Sequence, residues 1–247
     1  MARIPVALQL YSVRDDAAAD VAGTLKAVAA MGYEGVEFAG YFDKPAAELR
    51  KMLDDLGLKV AGSHARAEEW SPENLQQTTD FHHTLGNTFL INPWHKEETK
   101  EGWLAFAESL NTAAAALLPA GLFAGYHNHA HEMAEIDGTR IWDLLAANTR
   151  PEVVLQLDLG HARRGGVDPL AYYNKYLGRG RTIHLKEFCA TDDKPLLGKG
   201  DLDWPTILDG VEAGGKTEWY IVEQEVYPIP PMDAAKHCRE YLKSIGR

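Results

Sequence analysis

The chain has 247 residues, of which 45% are hydrophobic and 25% charged, and its formal net charge is −11. A length of about 250 residues suits one domain of alternating strands and helices, so we predict a single domain over residues 1–247. The negative charge excludes a sequence-independent attraction to nucleic acid, because that attraction requires Lys and Arg side chains that neutralise phosphates.

Eight short apolar runs alternate with longer segments of helical periodicity. The predicted strands cover residues 5–10, 35–38, 58–62, 88–92, 122–127, 153–158, 182–186 and 219–223. Val21, Leu25 and Val28 recur at helical spacing after the first strand, and residues 232–245 form the predicted last helix. This alternation is typical of parallel βα units, and eight of them predict a (β/α)8 TIM barrel. An open doubly wound sheet is the alternative, although no G-x-G-x-x-G motif follows the first strand.

Cysteine content and the start of the chain indicate the compartment. The two cysteines, Cys189 and Cys238, are too few for a disulfide framework. The first residues lead directly into an apolar strand, without the long apolar segment and cleavage site of a secretory signal. No apolar run approaches the ~20 residues that cross a bilayer. We therefore predict a cytoplasmic protein that binds neither a membrane nor nucleic acid, and its oligomeric state is left open.

Polar residues close four consecutive predicted strands, and in a barrel the site lies at these carboxyl ends. They are His127, His129, His131 and Glu132 in strand five and just beyond it, Asp158 and His161 in strand six, His184, Lys186 and Glu187 in strand seven, and Glu223 and Glu225 in strand eight. Residues two apart share one face of a strand, so one face of each strand can point to the barrel axis. Imidazoles and carboxylates without thiolates suit Mn²⁺, Co²⁺, Zn²⁺ or Fe²⁺, and the sequence does not choose among them.

Six motifs occur in order along the chain. They are Gln9-Leu10-Tyr11-Ser12-Val13-Arg14, Tyr126-His127-Asn128-His129, Asp158-x-Gly160-His161, His184-x-Lys186, Gly198-x-Gly200-x-x-Asp203-Trp204 and Val222-Glu223-Gln224. Together they resemble the xylose isomerase-like TIM barrel superfamily, and in particular its sugar phosphate isomerase/epimerase branch. The resemblance extends from the first strand to the eighth.

The resemblance implies one divalent metal ion, held by four side chains from strands five to eight that are commonly Glu, Asp, His and Glu. By position, Asp158, His184 and Glu223 match the last three of these ligands. His127 stands where a glutamate is common, so the predicted ligand set is completed by an imidazole. The predicted cofactor is one Mn²⁺, Co²⁺, Zn²⁺, Mg²⁺ or Fe²⁺ ion.

The predicted catalytic residues are Glu223, His161 and His127, since a proton-transferring group needs hydrogen-bond reach of the substrate and a suitable pKa. The family places the histidine after Asp-x-Gly beside the substrate, which implies this position for His161. Predicted substrate contacts are His64, Lys186, His129, Gln9 and Trp94. Each has an alternative role: a histidine at a strand end often pairs with a backbone carbonyl, and a tryptophan often packs in the core.

The leading hypothesis is a metal-dependent isomerase or epimerase that abstracts a proton beside a metal-polarised carbonyl of a ketose-type sugar or polyol. The alternative is a lyase or dehydratase that performs β-elimination on a keto-sugar, keto-inositol or 3-keto-glycoside. His127 motivates this alternative, because the family's epimerases are thought to use two glutamates as acid and base on opposite faces of the substrate.

Two further functions, DNA repair and sugar binding, are alternatives to these reactions. DNA repair, which occurs in the same superfamily, requires more than one metal ion and a surface that tolerates DNA, and the acidic charge opposes it. A sugar-binding barrel without catalysis is a further alternative. Two arginine pairs, Arg163-Arg164 and Arg179-x-Arg181, could clamp a phosphate, but we favour solvated surface for both.

Overall fold

A computed structural model describes residues 3–247, so the first two residues of the predicted domain lie outside the described part. It contains ten strands in this range. They are β1 (Val6–Gln9), β2 (Gly35–Ala39), β3 (Lys59–His64), β4 (Phe89–Asn92), β5 (Phe123–His127), β6 (Glu135–Ile136), β7 (Thr139–Arg140), β8 (Val154–Asp158), β9 (Thr182–Leu185) and β10 (Trp219–Val222).

Ten α-helices cover much of the rest of the described chain. They are α1 (Arg14–Ala19), α2 (Val21–Met31), α3 (Ala46–Leu56), α4 (Leu75–Leu85), α5 (Lys100–Leu117), α6 (Ile141–Asn148), α7 (Leu159–Arg164), α8 (Pro169–Lys175), α9 (Trp204–Gly214) and α10 (Pro231–Ser244). Within residues 3–247, no helix is both long and apolar enough to span a bilayer. Cys189 and Cys238 are both free thiols.

Eight of the strands close into a parallel barrel in the order β1, β10, β9, β8, β5, β4, β3, β2. Closure is direct, because Leu8 of β1 pairs with Val222 of β10 on one side and with Val36 of β2 on the other. The predicted (β/α)8 barrel is therefore confirmed, and the doubly wound sheet is excluded. The remaining strands, β6 and β7, form a small antiparallel hairpin beyond β5.

The interior of the barrel changes from apolar to polar along its axis. Phe89, Val154 and Trp219, near the amino-terminal ends of their strands, belong to one buried apolar cluster. Polar side chains follow on the same inner face: Gln156 comes two residues after Val154, and Glu223 comes four residues after Trp219. Both polar side chains are also buried. A larger apolar layer lies between the strands and the surrounding helices. The two-residue period thus directs the polar groups to the carboxyl end of the barrel.

Candidate active site

Four side chains from β5, β8, β9 and the end of β10 meet at the carboxyl end of the barrel. Each of His127, Asp158, His184 and Glu223 offers one potential ligand atom, and these atoms all lie within 4.8 Å of one another. All four residues are buried. The structure thus brings together the four side chains of the predicted ligand set, although their separation along the chain reaches almost a hundred residues.

Asp158 fits a cation ligand, because only one of its oxygens has a partner in the protein. Oδ1 accepts from the backbone N–H of His161 at 2.7 Å and caps α7. Oδ2 is buried without a hydrogen-bond partner, and burial raises the pKa of the carboxyl. A buried acceptor without a partner is costly, and a bound cation would offset that cost.

The two imidazoles of the set differ in charge. Burial holds the pKa of His127 well below its ordinary value, so this ring is neutral and has a lone pair to offer. Burial also opposes protonation of His184, but the carboxylates of Glu37 and Glu223 outweigh it and raise the pKa of His184 to about 10. To bind a metal ion through Nδ1, His184 would have to release the proton from that nitrogen. Two nitrogens and two carboxylate oxygens would then form a donor set that suits several divalent transition metals.

Glu37 of β2 lies beneath this set and was missed by the sequence analysis. Its carboxylate is fully buried and accepts from Gln9 Nε2 at 2.7 Å, His184 Nε2 at 2.7 Å and Gln156 Nε2 at 2.8 Å. Burial would raise the pKa of Glu37, but His64 and His184 hold it below its ordinary value. The available signal was one acidic residue on the inner face of an otherwise apolar strand.

A cavity of about 560 Å³ opens above the four side chains. Of the predicted site residues, His64, His127, His129 and Glu223 line it. The surrounding loops contribute further lining residues, namely Tyr11, Tyr41, Arg66, Glu69, Pro93 and Glu225. Volume and position are those of a small-molecule site at the carboxyl end of a barrel.

The other predicted substrate contacts lie around this cavity in different ways. Gln9 is buried beneath it, with Nε2 bonded to Glu37 and Oε1 accepting from the backbone N–H of Tyr11. Both ends of the Gln9 amide are therefore used inside the protein. Trp94 lies beyond β4 and is 55% exposed, with its ring 4.7 Å from that of His129. It is thus placed to contact a ligand only at the rim.

A second cluster adjoins the first and consists of His129, His161 and Glu225, whose potential ligand atoms also lie within 4.8 Å of one another. Both ring nitrogens of His161 and Nδ1 of His129 are buried without hydrogen-bond partners. Lys186 bonds to Glu225 and lies 3.9 Å from Glu223. The cluster therefore presents free imidazole nitrogens beside a paired charge. Glu225 closes the predicted strand eight but had no predicted role of its own.

Charges in this second cluster are fixed by burial and by Lys186. Burial is the main cause that lowers the pKa of His129, to about 3, so its ring is neutral at physiological pH. Burial would raise the pKa of Glu225, but the neighbouring His161 and Lys186 lower it to about 2. At neutral pH the cluster thus contains a neutral imidazole and an ionised carboxylate.

Buried groups hold the turn after β5 and the start of α7 in place. Glu132 accepts from the backbone N–H of His129 at 2.8 Å and from the hydroxyl of Tyr126. Asn128 accepts from the backbone N–H of Asp158 at 2.8 Å, which ties the ends of β5 and β8 together. At Gly160, a side chain would overlap the carbonyl oxygen of Lys186, so the glycine lets α7 approach β9.

The arginine pair 179/181 lies at the opposite end of the barrel. Arg179 donates to the carbonyl of Val153, just before β8, and to the hydroxyl of Thr149. Arg181 precedes β9 and pairs with Glu218 at 2.5 Å. These arginines are therefore not phosphate ligands of the cavity.

Comparison with known proteins gives the class to which this fold and site belong. The family model described as xylose isomerase-like TIM barrel matches residues 25–245. The chain belongs to this family, as its motifs predicted. Its relatives include an inosose dehydratase of Geobacillus thermodenitrificans, 24% identical over 87% of this chain and 86% of the relative. Another is an inosose dehydratase of Lacticaseibacillus casei, 25% identical over 85% of each chain.

Among solved structures, a sugar phosphate isomerase/epimerase from Parabacteroides distasonis superposes with a TM-score of 0.85. The two chains are 25% identical, and the match covers 99% of this chain and 95% of the other. The names of these relatives thus include both reaction types considered from the sequence, elimination and isomerisation.

Proposed function

We propose that this protein is a metal-dependent dehydratase, a carbon–oxygen lyase that eliminates water from an unphosphorylated cyclic keto-polyol or keto-sugar. The observation that carries the proposal is the presence of two adjoining clusters. One offers metal ligands, and the other, formed by His129, His161 and Glu225, offers proton-transferring groups at a different place. Elimination requires this separation, because the proton leaves one carbon and the hydroxyl leaves its neighbour.

His127 favours elimination over epimerisation. An epimerase that uses two glutamates as acid and base on opposite faces of one carbon would lack one of them here, since residue 127 is a histidine whose ring is neutral and engaged with Gln156 Oε1 at 3.2 Å. The inosose dehydratases, which match most of this chain, are relatives whose name states elimination from a keto-inositol. Both points support the same reaction class.

The charges around the cavity support a neutral substrate. Three carboxylates, Glu69, Glu223 and Glu225, line it together with the guanidinium of Arg66. Phosphate recognition commonly uses several cationic groups or a helix amino terminus, and the nearby cation Lys186 is already paired with Glu225. Hydroxyl groups, in contrast, can bond to the free imidazole nitrogens and to the carboxylates.

The metal ion would be held by His127, Asp158, His184 and Glu223, and when bound it would act as a Lewis acid on the substrate carbonyl. Glu223 is assigned the role of base: burial opposes its ionisation, but Lys186 and His184 hold its pKa well below the ordinary value. It takes the proton from the carbon beside the carbonyl. His161 gives a proton to the hydroxyl on the next carbon, which leaves as water while a carbon–carbon double bond forms.

The test starts with metal-free protein reloaded with single divalent metals and incubated with keto-inositols, 3-keto-glucosides and simple ketoses. Elimination gives a product lighter by one water from a keto-inositol or a ketose, or releases the aglycone of a 3-keto-glucoside, and the conjugated product absorbs in the ultraviolet. His161→Asn should abolish this turnover, whereas His83→Asn, which changes a histidine of α4 outside both clusters, should not. Loss of turnover in both variants, or in neither, would remove the assignment of His161.

The second candidate is the sugar isomerase or epimerase, which the Parabacteroides distasonis structure favours by its name and its close superposition. Turnover in D₂O separates the two reactions. An isomerase or epimerase incorporates deuterium at carbon in a product that has otherwise lost no atoms. Such a product, without any dehydrated species across the substrate panel, would replace the dehydratase proposal by this one.

A further inference from the structure

The hydrogen bonds beneath the candidate metal centre follow from one buried carboxylate. Glu37 accepts from Gln9 Nε2 and from His184 Nε2, both at 2.7 Å, and a carboxylate has no proton to donate. Gln156 therefore turns its NH₂ group toward Glu37 Oε1, at 2.8 Å, and donates a second bond to Thr182 Oγ1 at 2.9 Å. The orientation of the Gln156 amide is thus determined by the carboxylate that its NH₂ group faces.

This orientation fixes the proton position on His127. With its NH₂ group engaged, Gln156 presents Oε1 to His127 Nδ1 at 3.2 Å. A carbonyl oxygen accepts, so Nδ1 carries the proton, and Nε2 is the nitrogen that can offer a lone pair to a metal ion. In His184 the nitrogen that donates to the interior is Nε2, which bonds to Glu37, while Nδ1 faces Glu223 at 3.0 Å.

We propose that Gln156, oriented by Glu37, is a positioning residue that makes His127 a nitrogen ligand through Nε2. The centre therefore has two nitrogen and two oxygen donors and favours Zn²⁺, Co²⁺ or Fe²⁺ over Mg²⁺ or Mn²⁺. Imidazole suits the first group of ions, and carboxylate suits the second. A glutamate at position 127 would have no proton to give to Gln156 Oε1, so residues 127 and 156 act as a pair.

This inference rests on the metal site of the proposed function, and a double-mutant cycle in metal affinity tests it without substrate. Metal-free protein is titrated with Zn²⁺ and with Mn²⁺ against a chromophoric chelator, in the wild type, Gln156→Met, His127→Glu and the double variant. Gln156→Met removes the acceptor and should weaken Zn²⁺ binding by about 10–100-fold, the usual effect of losing a partner of a ligating histidine. In the His127→Glu background the same change should cost less than about 3-fold.

Thr182→Val is the matched control, because Thr182 bonds to the same Gln156 amide but on the NH₂ side, away from His127. It should leave Zn²⁺ affinity within about 3-fold, since the Glu37 bond still orients the amide. His127→Glu should lower the ratio of Zn²⁺ to Mn²⁺ affinity on the order of 10-fold or more. Sites for divalent metals generally bind Zn²⁺ more tightly than Mn²⁺. The measured quantity is therefore the change in the Zn²⁺/Mn²⁺ affinity ratio on substitution, and not which ion binds more tightly in the wild type.

Nitrogen-15 NMR of the zinc-loaded wild type gives a measurement that requires no variant to fold. The proposal expects a protonated Nδ1 and a metal-bound Nε2 on His127. A metal-bound Nδ1, or an equal loss of affinity from Gln156→Met in both backgrounds, overturns it. Tight metal binding with these results but without sugar turnover would instead refute the proposed function and leave this inference standing. Failure of the wild type to bind any of these ions removes both.

Discussion

Asp158→Asn should stabilise the metal-free protein while it destroys metal binding. Asparagine caps a helix about as well as aspartate, so the bond to the His161 N–H that begins α7 is kept. The second oxygen, buried and without a partner, becomes an NH₂ group that can donate to Glu223 or to His127 Nε2, both in the same cluster. The substitution thus removes a buried oxygen without a hydrogen-bond partner and a metal ligand together.

The size of the effect follows from the missing hydrogen bond. A buried polar group without a partner costs about 1–3 kcal/mol, which sets the expected gain in the free energy of unfolding. For a chain of this length, that gain corresponds to an increase in Tm of about 2–4 °C per kcal/mol. Loss of a direct ligand should weaken metal binding by more than the ~10–100-fold that follows loss of an indirect partner.

Thermal unfolding with a chelator and with added Zn²⁺ measures both quantities on the same samples. Asp168→Asn is the matched control, because Asp168 caps α8 in the same way, at 2.8 Å from the Ala171 N–H, but lies outside both clusters. It should change neither Tm nor the metal-induced rise. If Asp158→Asn lowers the Tm of the metal-free protein and keeps the rise on metal addition, Asp158 is a structural residue and the ligand assignment is wrong.

Three further predictions concern the loops, the pH dependence and the rim. Glu187 accepts three backbone N–H bonds and one indole N–H bond in the β9–α9 segment. In Glu187→Gln, the NH₂ group of the new glutamine would face some of these donors, and the free energy of unfolding in urea should fall by about 2–4 kcal/mol. His184 faces Glu37, Glu223 and two other imidazoles, and its pKa is raised to about 10. Between pH ~6.5 and 10, the folded metal-free protein therefore binds one more proton than the unfolded chain. The contribution of His184 to the free energy of unfolding is complete below pH ~6.5 and should fall by up to ~1.4 kcal/mol per pH unit as pH rises toward 10. A free energy of urea unfolding that stays constant from about pH 7 to 9 would contradict this prediction. Trp94→Ala should raise KM and leave kcat unchanged, because the ring lies at the rim; an unchanged KM would show that the substrate does not reach it.

The sequence predicted the barrel and the four converging strand ends because both depend on local periodicity. Strand residues alternate, helices repeat every three to four residues, and a barrel gathers the carboxyl ends of its strands, which together place His127 and Glu223 near each other. The β6–β7 hairpin also left a signal, since Asp137-Gly138 with positive φ at both residues suits a tight hairpin turn. It was missed because two-residue strands show no periodicity.

The role of Glu37 could not be predicted in the same way. Its partners Gln156 and His184 lie on β8 and β9, which do not pair with β2 in the barrel, so they meet Glu37 only across the interior. Such a contact depends on strand tilt and on the height of each residue along the axis, and neither quantity is encoded in a single strand. Gln9, expected at the substrate, instead bonds to Glu37, which is its register partner on the adjacent strand β2.

The bonds of Glu37 also bear on how the chain assembles. Its partners lie 28 residues away at Gln9 but 119 and 147 residues away at Gln156 and His184. An amino-terminal half of the barrel would therefore contain an acidic group that lacks two of its hydrogen-bond partners, Gln156 and His184, which is unfavourable. We expect the two halves to fold as one cooperative unit, with the final closure delayed until the late strands have been synthesised.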